Sequence, residues 1–215
     1  MKSFRYIPLI AALFLLTFCK SEPKNAIQLD VLPTIFPDYT FVNIPPNIAP
    51  LNFLVRDSCQ STYVEATFND KKITAQGNGN HVCFDIDDWK SIVAQAIGNN
   101  IEISVSIEKN DGQFYKYKSF NIYVEKDSID PYLTYRLIEP DYEVFSRLKI
   151  EQRCIENFDT KDICNHNITN NSCMNCHTFA GNNPNTSLFY VRGANGGAIL
   201  NRDRMLKKLN IKNKE

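Results

Sequence analysis

Hydrophobic and polar residues alternate along much of residues 51–126, which is the pattern of strands with one buried and one exposed face. The alternation is clearest over 62–68, 101–107 and 114–124, and turn-forming sequences rich in Asn, Asp and Gly separate these segments. Strands that recur about every 8–12 residues with such turns are typical of two packed antiparallel sheets. The pattern therefore predicts a mainly β fold, with an immunoglobulin- or fibronectin-like sandwich over residues 38–127.

One segment inside this region has helical periodicity. Trp89, Ile92 and Val93 fall on one face at the spacing of an α-helix. Asp85 or Asp87 can accept hydrogen bonds from the free N–H groups of the first turn, and the Gly-Asn pair that follows the segment ends it. We expect this helix to lie in one of the connections between strands.

The first residues of the chain predict export. A positively charged start is followed by an apolar run over residues 7–18, which is too short to span a bilayer and has the length of a signal-peptide core. The run ends in Leu-Thr-Phe-Cys, which resembles the bacterial lipobox, in which the cysteine is lipidated and becomes the mature N-terminus. We therefore expect residues 1–19 to be a lipoprotein signal peptide with Cys19 as the lipidation site; an uncleaved anchor helix is the alternative. Both interpretations place the folded chain in the cell envelope, facing the periplasm or the cell surface and held to the membrane at its N-terminus.

Three further segments differ in composition. Residues 20–37 are rich in Pro and lack periodicity, which predicts an extended tether. Residues 128–200 become rich in Asn and Cys with little regular pattern, and they predict a small loop-rich segment with short helices. Residues 201–215 are basic and are expected to form a solvated tail. Because the whole chain has 24 basic and 24 acidic residues, it lacks the excess positive charge that a nucleic-acid partner requires.

The clearest chemistry lies at residues 172–178, which read Ser-Cys-Met-Asn-Cys-His-Thr. Two cysteines separated by two residues and followed by histidine form the attachment motif of c-type haem. In that motif Cys173 and Cys176 bond to the haem vinyl groups and His177 is the proximal iron ligand. With this composition the pattern arises by chance in roughly three chains in a thousand. Export strengthens the interpretation, because c-haem is attached after translocation, and we predict one covalent haem c as the cofactor.

Two other kinds of site share part of this motif. A thioredoxin-like redox pair has the same two-residue gap, but it belongs at the start of a helix in a βαβ unit, which the pattern does not predict. A zinc site would need further ligands, which Cys154, Cys164 and His166 provide in the sequence.

The identity of the sixth iron ligand stays open. His166 lies eleven residues before His177 and ranks first, Met205 is the second candidate, and His81 in the β domain is a remote third. Met174 lies within the thioether loop and cannot reach the opposite face of the ring. An open sixth position is a further alternative, and it would permit ligand binding or peroxide chemistry instead of pure electron transfer.

Four of the seven cysteines remain after lipid and haem attachment. An even number in an oxidising compartment predicts disulfides. The local pairs would be Cys59 with Cys83 and Cys154 with Cys164, and the sequence alone leaves two other pairings open.

Several segments together resemble one family of exported Bacteroidetes proteins, often labelled cytochrome c biosynthesis or propeller-containing proteins. The segments are the proline-containing stretch 43–53, Tyr-Arg-Leu-Ile-Glu-Pro at 135–140, the motif at 173–179, Arg-Gly at 192–193 and Gly-Gly at 196–197. The resemblance runs from residue 38 to residue 198 and implies a β-sandwich, then a haem-attachment segment, then usually a β-propeller. Members of the family continue into propeller blades, whereas this sequence stops at Glu215.

The sequence thus predicts a lipid-anchored electron carrier whose partners are envelope redox proteins. No carboxylate pair or nucleophile constellation marks the chain as a catalyst, so a carrier is favoured over an enzyme. The alternative is a binding or scaffold lipoprotein whose sandwich recognises a glycan or a protein, with the Cys-rich segment held by disulfides or zinc.

Overall fold

The computed structural model describes residues 23–138, 148–169, 173–192 and 196–209, and these are mainly β. The predicted signal peptide and Cys19 lie outside the described residues. The N-terminal part contains β1 (Ile27–Gln28), β2 (Ile35–Phe36), β3 (Asn43–Ile44), β4 (Asn52–Val55), β5 (Ser61–Phe68), β6 (Lys71–Asn78), β7 (His81–Cys83), α1 (Ile86–Gln95), β8 (Asn100–Glu108), β9 (Phe114–Lys116) and β10 (Phe120–Val124). The C-terminal part contains β11 (Tyr132–Leu137), β12 (Lys149–Cys154), β13 (Thr160–Asn165), β14 (Met174–Ala180), β15 (Asn183–Val191), β16 (Gly197–Arg202) and β17 (Met205–Leu209).

The larger N-terminal sheet is organised around β8. This strand pairs antiparallel with β5 along one edge and with both β9 and β10 along the other. β6 extends the sheet beyond β5, while β1 and β3 add parallel to β9 and β10. The strands predicted over 62–68 and 101–107 are confirmed as β5 and β8, and Val64 lies opposite Val105 with both fully buried. The predicted exposed face is not found in β5, which is buried at every position from Ser61 to Ala66.

A second, three-stranded sheet and the helix bury the inner face of the larger sheet. β2, β4 and β7 form the second sheet, and their apolar residues join those of the larger sheet in one core. Asp85 caps α1 by accepting from the backbone N–H groups of Asp87 and Asp88. Trp89, fully buried, donates from Nε1 to the carbonyl oxygen of Ile48 at 3.1 Å. The helix and its capping residue are therefore as predicted.

The C-terminal part consists of two antiparallel sheets. β11, β12 and β13 form one sheet, and β14 to β17 form a four-stranded meander. A small second core joins the sheets: Leu148, Ile150 and Cys164 pack with Met174, which has no exposed surface. The prediction of a loop-rich segment with short helices is thus wrong for the described residues, because strands with one apolar face need few apolar residues to pair.

Two predicted boundaries also change. Residues 27–28 and 35–36, predicted to be tether, form β1 and β2 and pair within the N-terminal sheets. Residues 205–209, predicted to be a solvated tail, form β17 at the edge of the meander. Within the part of the chain that the structure describes, no helix is long and apolar enough to cross a membrane.

Candidate functional site

The predicted haem motif lies on an edge strand of the meander. Cys173 directly precedes β14, and its carbonyl oxygen accepts from the backbone N–H of Arg192 at 2.8 Å. Cys173 is half-buried with a free thiol. Cys176 lies within the strand, and its side chain is outside the described part of the structure.

A β-bulge falls within the motif. Two residues of β14, Cys176 and His177, lie opposite one residue of β15, Phe189. The register continues on either side, at Asn175–Tyr190 and Thr178–Leu188. Because side chains alternate along a strand, a bulge of this kind changes the direction in which the following side chains point, and bulges are common next to functional sites. Because of the bulge, the direction of the His177 side chain does not follow from the regular alternation of side chains along β14.

His177 contacts the neighbouring sheet through its ring. Its Nε2 atom lies 3.2 Å from the carbonyl oxygen of Thr134 in β11. The carbonyl of Pro131 accepts from the N–H of Ile155, so the odd-numbered residues of β11 form the hydrogen bonds to β12. The backbone groups of the even-numbered residues point to the opposite edge of β11. The Thr134 carbonyl is on that edge and is therefore available to His177. The ring of Phe179 meets that of His177 edge-on, with centroids 6.3 Å apart. His177 is therefore fixed by one backbone hydrogen bond and one aromatic contact.

This hydrogen bond determines which ring nitrogen of His177 carries a proton. A carbonyl oxygen only accepts, so Nε2 must be protonated and must donate to Thr134. In the neutral ring Nδ1 then keeps its lone pair. Histidines that bind metals commonly donate their other N–H to a backbone carbonyl, which fixes the tautomer and the ring orientation. The hydrogen bond therefore fixes the tautomer and the orientation of the His177 ring.

Met174, which directly follows the motif's first cysteine, is part of the second core. Met174 is fully buried against Leu148, Ile150 and Cys164, and both Cys173 and Phe189 pack on the same cluster. The Met174 side chain is thus committed to the second core. It anchors the motif strand to the neighbouring sheet.

The structure does not bring Met205 to the motif. β14 and β17 are the two outer strands of the four-stranded meander. Three strand spacings separate them, which is about 14 Å. Met205 is also 73% exposed at the β16–β17 hairpin. Its side chain is therefore far from His177.

His166 is separated from the ring of His177 as well. It follows β13, whereas the ring contacts Thr134 in β11, two strands away. The register places Asn165 opposite Lys149, three residues along β12 from the partner of Thr134. Two strand spacings and three residues of rise put the Cα atoms of Thr134 and Asn165 roughly 14 Å apart. The backbones that carry the first two candidates for the sixth ligand thus lie roughly 14 Å from the strands that hold the ring of His177.

All four cysteines predicted to form disulfides, Cys59, Cys83, Cys154 and Cys164, are free thiols in the structure. Cys164 lies opposite Ile150, four residues along β12 from Cys154. Their Cα atoms are therefore about 14 Å apart, whereas a disulfide requires about 4.4–6.8 Å. The local pairing of Cys154 with Cys164 does not fit this hairpin. The same distance separates two of the ligands considered for zinc.

Among the described residues no group of three His, Cys, Asp or Glu side chains could hold a metal ion. The side chain of Cys176 is not among those described. A haem site differs from such a cluster, because it needs one histidine on the iron and two thioether bonds to the ring. Of these three groups the structure describes two: the free thiol of Cys173 and the ring of His177, and both fit a haem site.

An ionic network that the sequence analysis missed lies in the same sheet as Thr134. Lys149 Nζ contacts Glu151 Oε2 at 2.5 Å and Asp162 Oδ1 at 2.7 Å, and the Tyr135 hydroxyl donates to Glu151. The hydrogen bond from Lys149 lowers the pKa of Glu151 and that of Asp162. Hydrogen bonds to the two carboxylates, Asp162 first, raise the pKa of Lys149. Lys149 and Glu151 alternate along β12, but their contact with Asp162 depends on the register of β12 with β13.

Comparison of the chain with protein-family models, with curated proteins and with solved structures gives no match. The function must therefore be argued from the residues and geometry of the chain itself.

Proposed function

We propose that the chain is an exported, lipid-anchored protein that carries one covalent c-type haem and transfers electrons in the cell envelope. The observation that carries the proposal is the attachment motif with the ring of His177 held by the Thr134 carbonyl and a free, half-buried thiol at Cys173. Cys173 lies four residues before His177 in the sequence. Envelope redox proteins are the expected partners.

Each residue of the motif has a distinct task in this proposal. Cys173 and Cys176 would hold the haem, and His177 would bind the iron. Bound there, the haem would supply a centre that takes up and releases one electron. Met174 anchors the strand in the second core, and the Thr134 carbonyl orients the imidazole.

In this proposal the N-terminal part of the chain is a spacer between the membrane and the haem segment. Two sheets and one helix share a single core, which favours the immunoglobulin- or fibronectin-like sandwich expected from the sequence. The lipid at Cys19 would precede this unit, and the haem segment would follow it. The sandwich would thus hold the redox centre away from the membrane surface.

A haem stain on a denaturing gel, together with the intact mass, tests the proposal. The chain is expressed beside a c-haem maturation system, and haem should remain with the denatured protein. Cys173→Ala/Cys176→Ala should abolish the stain, while the matched control Cys83→Ala, in the N-terminal part, should retain it. A colourless chain of apoprotein mass, under conditions in which a control cytochrome matures, would contradict the proposal.

A further inference from the structure

A polar groove crosses the outer face of the larger N-terminal sheet, far along the chain from the haem motif. The groove has a volume of about 480 Å³, within the range of about 300–1,000 Å³ that is typical of small-molecule sites. Its lining combines carboxylates, hydroxyls and two lysines. We propose that this groove binds a short neutral glycan.

Backbone segments that are held by hydrogen bonds form the walls of the groove. β9 and β10 both pair with β8 along one edge, and residues 117–119 interrupt that pairing. Within the interruption Tyr117 still donates its N–H to the carbonyl of Val105 at 2.9 Å. The N-terminal segment follows this edge, because Leu29 donates to the Lys116 carbonyl and Lys118 donates to the Val31 carbonyl. The groove is therefore formed before any ligand arrives.

The floor carries two carboxylates on adjacent strands. Glu65 of β5 lies opposite Ser104 of β8, and Thr67 lies opposite Glu102. The two glutamates and their hydroxyl neighbours thus form a compact polar patch on one face of two paired strands. All four residues line the groove.

Both carboxylates are held in place by existing contacts. Glu65, 6% exposed, contacts Lys72 Nζ at 2.9 Å, and Ser119 Oγ donates to Glu102 Oε1 at 2.5 Å. A carboxylate offers about four acceptor sites, so one such contact leaves capacity for hydroxyl groups of a ligand. The contacts therefore orient the glutamates without using all of their acceptor sites.

The mixture of groups favours a sugar over other small ligands. Each sugar hydroxyl donates and accepts, so it can match both the carboxylates and the hydroxyl and ammonium donors of the groove. An ion of either sign is disfavoured because Lys72, Lys116 and Lys118 balance the charges of Asp30, Glu65 and Glu102. A metal ion is disfavoured because no three of the described acidic or metal-binding side chains converge. The inference is independent of the proposed haem.

Binding is tested on the purified full chain by saturation-transfer NMR. The probes are neutral trisaccharides built from glucose, mannose, xylose and N-acetylglucosamine, each added in millimolar excess. At least one should bind, and Glu102→Gln should weaken it at least tenfold. Glu108→Gln is the matched control, since Glu108 lies on the same strand, bonds to Ser61 and does not line the groove.

Three outcomes would overturn the inference: no binding of any trisaccharide, equal weakening by the two variants, or calorimetric binding of Ca²⁺ that displaces the sugar. Unchanged circular dichroism and melting temperature show that Glu102→Gln is folded. The variant Cys173→Ala/Cys176→Ala should bind the sugar normally, so failure of the haem proposal and failure of the glycan proposal are distinguished.

Discussion

The Nε2 atom of His177 donates to the carbonyl oxygen of Thr134, which lies 43 residues earlier in the chain. The bond joins the strand of the haem motif to the free edge of the preceding sheet. His177 thus has a structural contact in addition to its proposed role as iron ligand.

The structural contact should be measurable without haem. His177→Ala removes the hydrogen bond to Thr134 and should lower the free energy of unfolding of the apoprotein by about 0.5–1.5 kcal/mol. Urea denaturation followed by circular dichroism gives the value. The control His81→Ala changes an exposed residue on β7 and should stay within about 0.5 kcal/mol. Equal effects of the two substitutions would argue against the contact.

Truncation of the two methionines in the C-terminal sheets should affect stability to very different extents. Met174 is fully buried, so Met174→Ala removes core packing and should cost about 2–5 kcal/mol. Met205 is 73% exposed, and Met205→Ala should change stability by no more than about 0.5 kcal/mol. Hydrogen exchange of β12 to β15 is the measurement. Unchanged protection in Met174→Ala would show that the second core is assigned wrongly.

The network around Lys149 predicts a loss of stability in acid. The folded-state pKa values of Glu151 and Asp162 are lowered, so their contribution is present above the unfolded pKa values and is lost as the pH falls through the folded ones. The raised pKa of Lys149 makes its contribution persist below its unfolded pKa and disappear only in strong alkali. Stability measured from pH 7 to pH 2 should therefore fall in the acid range.

Lys149→Met should flatten this acid dependence, because the hydrogen bonds that lower both carboxyl pKa values are then lost. Lys161→Met is the control, since Lys161 is exposed on the neighbouring strand. Urea midpoints at each pH give the profile. An acid limb that is identical in both variants would exclude Lys149 as its source.

The proposed haem should have an open sixth position. The backbones of His166 and Met205 lie roughly 14 Å from the strands that hold His177, and we predict that neither side chain would bind the iron, which would then be high-spin in the isolated protein. Optical and electron paramagnetic resonance spectra of the holoprotein test this expectation. His166→Ala and Met205→Ala should leave the spectra unchanged, and added imidazole should convert them to low spin. A low-spin spectrum that either variant abolishes would identify that residue as the sixth ligand.

Local patterns predicted the N-terminal part well. The strands β5 and β8 and the capping of α1 by Asp85 are confirmed, because each depends on residues close together in sequence. The strands after residue 128 were missed, since Lys149, Glu151 and Arg153 alternate with few large apolar residues. Such strands form because neighbours pair with them, and pairing is not visible in a single segment.

The site itself divides in the same way. The motif at residues 173–177 is evident from cysteine spacing. The Thr134 carbonyl has no signature, since every residue carries one, and only the pairing of β11 exposes it. The separation of Cys154 from Cys164 likewise follows from a register that the sequence does not state.

Trp89 is the only tryptophan of the chain, and it lies fully buried in the N-terminal core. Its emission therefore reports the integrity of that core, whereas Met174 lies in the second core. A variant such as Met174→Ala can have a normal fluorescence melting curve while the C-terminal sheets are already open. Fluorescence and hydrogen exchange together thus give separate readings of the two cores within one unlabelled molecule.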